Sequence, residues 1–293
     1  MMKKNSTRRS LGQKAANRIN NTIVYTILII ITIVWLFPFF GILIESFRVE
    51  STGQKEYLFP KQWGFDNYRY LIMNEGDNGF MRWFFNTALV GVITSILQTG
   101  FILAMSYTLS RLRFSGRKFL MNFMLILGMF PGFLTLILIY KIFADVNLIE
   151  SNAIWGLILV YCASSAMGYY VSKGFFDTIP KSLDEAARVD GATRWQVFYK
   201  VIMPLSKPIV IYTILMGFMA PWGDFMMANW LAHGEKLGKN VATGMMDWMG
   251  RNIEEHYTHF CAGGVLVAIP VIVVFLCLQK YYVEGVTGGA VKG

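Results

Sequence analysis

Apolar and polar residues are laid out along this chain in long blocks. Apolar runs fall at Thr22–Ile44, Trp83–Ser110, Phe119–Phe143, Ala153–Ser172, Leu205–Phe225 and Phe260–Leu278. Each is close to the ~20 residues that an α-helix needs to cross the hydrocarbon core of a bilayer. The pattern predicts an all-α, polytopic membrane protein with six transmembrane helices and membrane lipid as its surroundings. Thr22–Ile44 is longer than a signal-peptide core and has no A-x-A site, so it reads as a retained first span. Pro38, Pro131, Pro221 and Pro270 lie within the runs and are expected to kink them.

One stretch departs from this pattern. Residues 182–208, SLDEAARVDGATRWQVFYKVIMPLSKP, read as a polar helix-turn-helix set between two spans. Ser182 with Glu185 fits a capping box, and Asp184 and Glu185 put negative charge at a helix start, where the dipole favours it. Asp184 and Arg188 form an i,i+4 pair, and Gly191 can take the left-handed conformation that ends a helix within a turn. Thr193 with Gln196 repeats the capping signature. Trp195, Phe198, Tyr199 and Ile202 then form an apolar stripe at helical spacing, and Pro204 and Pro208 close the unit.

Charge gives the spans a direction. Six spans put both termini on one side. The face of the leader carries eighteen of the 27 Lys and Arg residues; the other carries eight, against about a dozen acids. By the positive-inside rule the leader (1–21), the hairpin region (178–208) and the tail (285–293) are expected in the cytoplasm, flanking a membrane domain over 22–284. Localisation is then the cell membrane, multi-pass, with both termini cytoplasmic. The leader has six basic residues and no acid. A nucleic-acid contact would use them, but a cytoplasmic flank accounts for them better because a span follows directly. The chain's low charged fraction, 15%, and high apolar fraction, 55%, agree with a membrane protein.

Candidate chemistry is sparse. No G-x-x-x-x-G-K-[ST] phosphate loop is present, so any ATP would be hydrolysed elsewhere. His256 and His259 make an H-x-x-H spacing that is a weak metal signal, and Cys162, Cys261 and Cys277 sit in apolar runs as small buried hydrophobes. Polar residues in or beside spans say more, because they face a cavity or a neighbouring helix. Asn86, Gln98, Lys141, Asp145 and Asp224 qualify, and Lys141 with Asp145 can neutralise each other. Tyr140, Trp222 and Asp224 are candidate substrate-pathway residues: an aromatic face beside a carboxylate suits a sugar, although a Pro-kinked interfacial belt would use the same residues. The Arg48–Arg82 loop is rich in aromatic residues suited to the membrane interface. The loop 226–259 is longer than joining two helices requires and reads as a binding loop, with Val241–Met249 as a short helix.

Glu185-Ala186-Ala187, then Gly191, Val201 and Met203-Pro204, resemble the E-A-A-x3-G-x9-I-x-L-P motif of permease subunits of bacterial binding-protein-dependent ABC importers. Val201 stands where Ile is usual and Met203 where Leu is usual. The chain is similar over nearly its whole length to the MalG-type branch, the sugar importers. The Met129-Phe130-Pro131 step, the run from Gly174 to Pro180 and the Gly-rich tail carry that likeness. It implies an ABC importer permease fold and a transport subunit that is not an enzyme. The implied partners are a homologous second permease of MalF type, two cytoplasmic ATP-binding subunits and an extracytoplasmic solute-binding protein. ATP and Mg would be bound by the partner ATPase, with no cofactor in this chain. Asp184, Glu185, Ala186, Ala187, Arg188, Asp190 and Gly191 would dock on the ATPase, and Gly288 and Gly289 in the tail would reach between the ATPases. Trp230, Gly234 and Gly238 would lie in a loop that meets the binding protein. An oligosaccharide of maltodextrin type is the first expectation for cargo. The rival class is an ATP-independent secondary transporter or channel, which leaves the polar hairpin unexplained.

Overall fold

The computed structural model describes residues 4–73, 79–129, 132–251 and 253–290. Apolar runs of this length satisfy every backbone donor and acceptor internally only as helices. α1 (Lys4–Ser46) is followed by a short α2 (Asp66–Met73), a long α3 (Phe80–Arg111), and α4 (Arg117–Met129) with α5 (Gly132–Asp145). After a single 3₁₀ turn, α6 (Ala153–Ala163) and α7 (Ala166–Thr178) lead to α8 (Lys181–Val189). Next comes the segment Arg194–Leu205, made of α9 (Arg194–Gln196), a π-helical stretch (Val197–Ile202) and α10 (Met203–Leu205). α11 (Lys207–Gly223), α12 (Met226–Ala232), α13 (Val241–Arg251) and α14 (Ile253–Ala290) complete the order. Among the described residues, four segments are long and apolar enough to cross a membrane singly, and two bent pairs bring the number to six.

The two sharp bends are the 102° turn between Arg117–Met129 and Leu134–Asp145, and the 82° turn between Arg194–Leu205 and Lys207–Gly223. Phe130 and Pro131 lie outside the described residues. α1 and α14 run on through Pro38 and Pro270, and Pro221 sits in the last turns of α11.

α3 is the central post, packed against α11, α7 and α6, while α14 packs on α11, α1 and α13. α1 meets the rest of the chain chiefly through α14, and Ile27, Trp35 and Phe39 are among its many exposed large apolar residues. That surface suits lipid or another membrane helix and would be costly in water. Cys162 and Cys261 are buried as expected, whereas Cys277 is exposed on α14.

Polar side chains pin helices where their backbones end or touch. Asn86 donates to the Leu237 and Lys239 carbonyls, and Gln98 to the Tyr161 carbonyl and the Ser165 hydroxyl. Lys141 and Asp145 are both exposed and do not form the expected pair. At the end of α1, Arg48 is fully buried between Glu45 at 2.7 Å and Glu50 at 2.6 Å, and it also donates to the Tyr57 carbonyl. Asn67 caps this knot by donating to the Ser46 and Arg48 carbonyls and accepting from Thr258 of α14. Burial works against the charge of Glu50. Even so, the backbone N–H groups of Lys61 and Gln62 and the Arg48 guanidinium bring its carboxyl down to about 2.

Removing Arg48 would strand two partly buried carboxylates, so Arg48→Ala is expected to cost about 3 kcal/mol. A clearly lower thermal midpoint in purified protein checks this; a variant melting with the parent contradicts it. Because Glu50 titrates below its ordinary value, its contribution is present above pH 4.5 and is lost as pH falls toward 2.

Candidate functional site

The polar hairpin is built largely as its residues demand, with instructive departures. α8 begins at Lys181 after Pro180, so Ser182 lies inside the helix and makes no cap hydrogen bond. Pro180 presets the extended backbone that starts the helix, which leaves the hydroxyl no capping position. Its end is as expected. Gly191 has φ +85°, the Ala192 N–H bonds to the Ala187 carbonyl, and the Gly191 N–H bonds to the Arg188 carbonyl, which is a Schellman closure. Thr193 and Gln196 form both halves of the capping box.

The following turn is not a regular α-helix. Pro204 lacks the N–H that would bond to the Lys200 carbonyl, and its ring crowds that carbonyl, so the preceding turns widen into the π stretch Val197–Ile202. Pro204 therefore lies within the segment and does not end it; the bend comes at Ser206, whose hydroxyl bonds to the Ile202 carbonyl. The wider turn also shifts the apolar face. Phe198 and Ile202 are buried with Val197 against Leu103, Phe176 and Ile209, while Trp195 and Tyr199 are exposed.

What anchors the hairpin is a residue that sequence reasoning passed over. Arg111 ends α3, and its side chain is only 4% exposed. Its Nη2 donates to the Ile179 carbonyl at 2.8 Å, just before α8, and its Nε lies 2.9 Å from Asp184 Oδ2. Asp184 thus pairs with Arg111 and not with Arg188, because the α3 end sits against the buried side of α8 while Arg188 is exposed. The Nε contact misses hydrogen-bond alignment. Burial consequently dominates: it holds the Asp184 carboxyl above its ordinary value, with Glu185 adding to the rise and Arg111 opposing it. Beside it, the Ser110 hydroxyl donates to Asp177 Oδ1 at 2.6 Å, and Lys173 pairs with the other carboxylate oxygen. In the sequence Arg111 is one more positive charge at a span end, because no local spacing marks a partner so far along the chain.

Outward from this anchor, Glu185, Ala186, Arg188, Asp190 and Gly191 are exposed and Ala187 is half-buried. α8 therefore offers a free surface to a partner while its other side is fixed to α3. A cavity of about 590 Å³ lies between α8, Arg194 and the chain after α3.

At the opposite end the expected site residues are placed differently. Trp222 is 5% exposed and packs edge-on against Phe84, so it presents no open face to a sugar. Asp224 accepts from the Tyr161 hydroxyl at 2.6 Å and from the Met227 N–H, which leaves its carboxylate engaged in joining α6 to α12. Tyr140 is half-buried against Trp230 and His233. Most of the 226–259 loop is folded inward as α12, α13 and the start of α14. Leu231 and Val241 are fully buried, and Asn240 bonds to the Pro221 and Asp224 carbonyls. The expected short helix is α13. Gly238 abuts the Glu150 carbonyl so closely that a Cβ would lie 1.9 Å from its oxygen. The turn around Gly234, from His233 to Leu237, stays largely exposed, as do Met226, Trp230 and the residues Ile253, Glu254 and Glu255 at the start of α14. His256 and His259 stack among Tyr70 and Trp248, and no group of metal-ligating side chains is present among the described residues. α14 continues through Gly288 and Gly289 to Ala290; Val291, Lys292 and Gly293 lie outside the described residues.

A membrane bundle that carries an anchored polar hairpin with an E-A-A-x3-G core defines the permease class of transport subunit. The chain belongs to the family described as the binding-protein-dependent transport system inner membrane component, whose model matches residues 99–287. It is 30% identical over 285 residues to the maltodextrin transport system permease protein MdxG of Bacillus subtilis, covering 97% of this chain and all of that one. It is 31% identical to the galactooligosaccharides transport system permease protein GanQ of the same organism, over 92% of this chain and 94% of that one. A bacterial ABC transporter that imports the acidic polysaccharide alginate shares the fold, with TM-score 0.71 and 23% identity over 91% of this chain and 98% of that one.

If Arg111 fixes α8, Arg111→Lys should loosen it, since a lysine cannot hold the Ile179 carbonyl and Asp184 in one fork. Backbone hydrogen exchange over Lys181–Val189 is expected to quicken about tenfold, the equivalent of one charged hydrogen bond. Exchange at the parent rate would contradict the anchor.

Proposed function

We propose that this chain is the MalG-type permease subunit of an ATP-driven oligosaccharide importer. It forms the pathway with a second permease and takes its energy from two partner ATPases, one of which meets α8. The observation that carries this reading is the hairpin: an E-A-A-x3-G helix exposed on one side and held on the other to α3, the central post of the bundle. A rigid lever of this kind passes a displacement at Glu185 to the spans without bending at Gly191. ATP and Mg belong to the partner subunits, and the solute-binding protein delivers cargo at the opposite face. The names of the relatives support an oligosaccharide, with maltodextrin and galactooligosaccharide both among them. The exposed turn from His233 to Leu237, with Trp230 beside it, would meet the binding protein. Gly288 and Gly289 would extend α14 toward the ATPases.

Glu185→Lys reverses charge on the exposed side of α8, and Gly191→Pro cannot adopt the φ of +85°. Both are expected to abolish uptake in proteoliposomes while the protein still reaches the membrane; normal uptake by either with ATPases bound overturns the coupling role. Orientation has a separate test. A cysteine replacing Arg194 should react with an impermeant thiol reagent only in opened vesicles, and one replacing Lys236 should react from outside. Reversed labelling sinks the proposed topology. Lys236 serves here because it is exposed, whereas Gly238 is too closely packed to accept a side chain.

A further inference from the structure

The cavity beside α8 holds a guanidinium that the fold leaves incomplete. Arg111 uses Nη2 on the Ile179 carbonyl and holds Nε 2.9 Å from Asp184 as an ion pair without hydrogen-bond alignment, and its Nη1 is buried without a hydrogen-bond partner. A buried unpaired donor on a charged group is costly unless something fills the space before it. The other bases lining the cavity, Arg113, Lys181, Arg188 and Arg194, are exposed and converge from three segments of the chain. Against these five stand two acids, Asp184 and Glu185. The surplus suits an oxyanion with more than one charge, and planar guanidinium forks match phosphate oxygens. One more orphan narrows the class. Asp184 Oδ1 is also buried without a partner, and it is an acceptor, so it would repel a bare phosphate but take a hydrogen bond from a hydroxyl.

We propose that this cavity binds a phosphate ester that carries hydroxyl groups, its phosphate on the Arg111, Arg113 and Arg194 side and a hydroxyl donating to Asp184. The volume of about 590 Å³ falls within the usual range for small-ligand sites. Two sources share this chemistry: the headgroup of phosphatidylglycerol and a soluble sugar phosphate. Either would bridge α3 to α8 and stiffen the hairpin, so occupancy would regulate coupling. That consequence rests on the proposed function; the binding does not.

The test reads binding without ATP or transport, on the assembled importer. In phosphatidylcholine nanodiscs, radiolabelled glucose phosphate should bind saturably, and the double variant Arg113→Gln/Arg194→Gln should weaken it roughly tenfold or more, as expected for losing two charged contacts. Inorganic phosphate should compete less well than glucose phosphate. In nanodiscs containing phosphatidylglycerol, native mass spectrometry should find that lipid retained by the parent and lost from the variant. Both substituted residues are exposed, so the variant should fold; Arg111→Gln serves as a second, more severe variant. A variant-sensitive signal in the first arm alone identifies a soluble ligand, and in the second alone a lipid; either supports the site. No retention in either arm, or equal retention by parent and variant, overturns it.

Discussion

The contact of Arg111 with Asp184 and the Ile179 carbonyl is the interaction on which the order of the polar hairpin depends. Helix α8 is short and polar, and has no fully buried residue of its own. A helix of nine residues would not hold its shape alone in water. It is ordered because its two ends are fixed: at the start by the guanidinium at the end of α3, and at the finish by the Gly191 closure and the Thr193 cap. The apolar plug of Val197, Phe198 and Ile202 then seats the following segment on α3 and α7. Load applied to the exposed side of α8 therefore reaches α3 through a charged, nearly buried side chain.

The remainder of the bundle obeys the constraint that polar groups in a membrane must meet one another. Asn86, Gln98 and Asp224 each join segments far apart in sequence, and Arg48 with its two glutamates seals the far end of α1. Asp224, with Trp222 beside it, reads in the sequence as a candidate for a solute path, because a polar residue in an apolar run has two fates, facing a cavity or tying a neighbour. In this chain Asp224 and Trp222 took the second. The distinction turns on partners such as Tyr161 and Phe84, which no local pattern reveals.

Much of the architecture was nonetheless legible. The apolar runs located the membrane segments, and Gly191, Thr193 and Gln196 wrote the hairpin turn in local chemistry. Errors arose wherever a distant or neighbouring group competed with a local rule. Pro180 displaced Ser182 from its cap, Arg111 outbid Arg188 for Asp184, and Pro204 widened a turn so that Trp195 and Tyr199 left the apolar face. The outer segment reads as a binding loop because its length exceeds need, and Leu231, Asn240 and Val241 show that much of that length also packs inward.

The central claim is that α8 and α3 move as one lever because Arg111 joins them. Its most direct test is the ratio of sugar taken up to ATP hydrolysed in proteoliposomes holding the complete importer with Arg111→Gln. The account predicts that hydrolysis continues while uptake collapses, so the ratio falls steeply. A ratio equal to the parent's, with both activities unchanged or reduced in step, would contradict it.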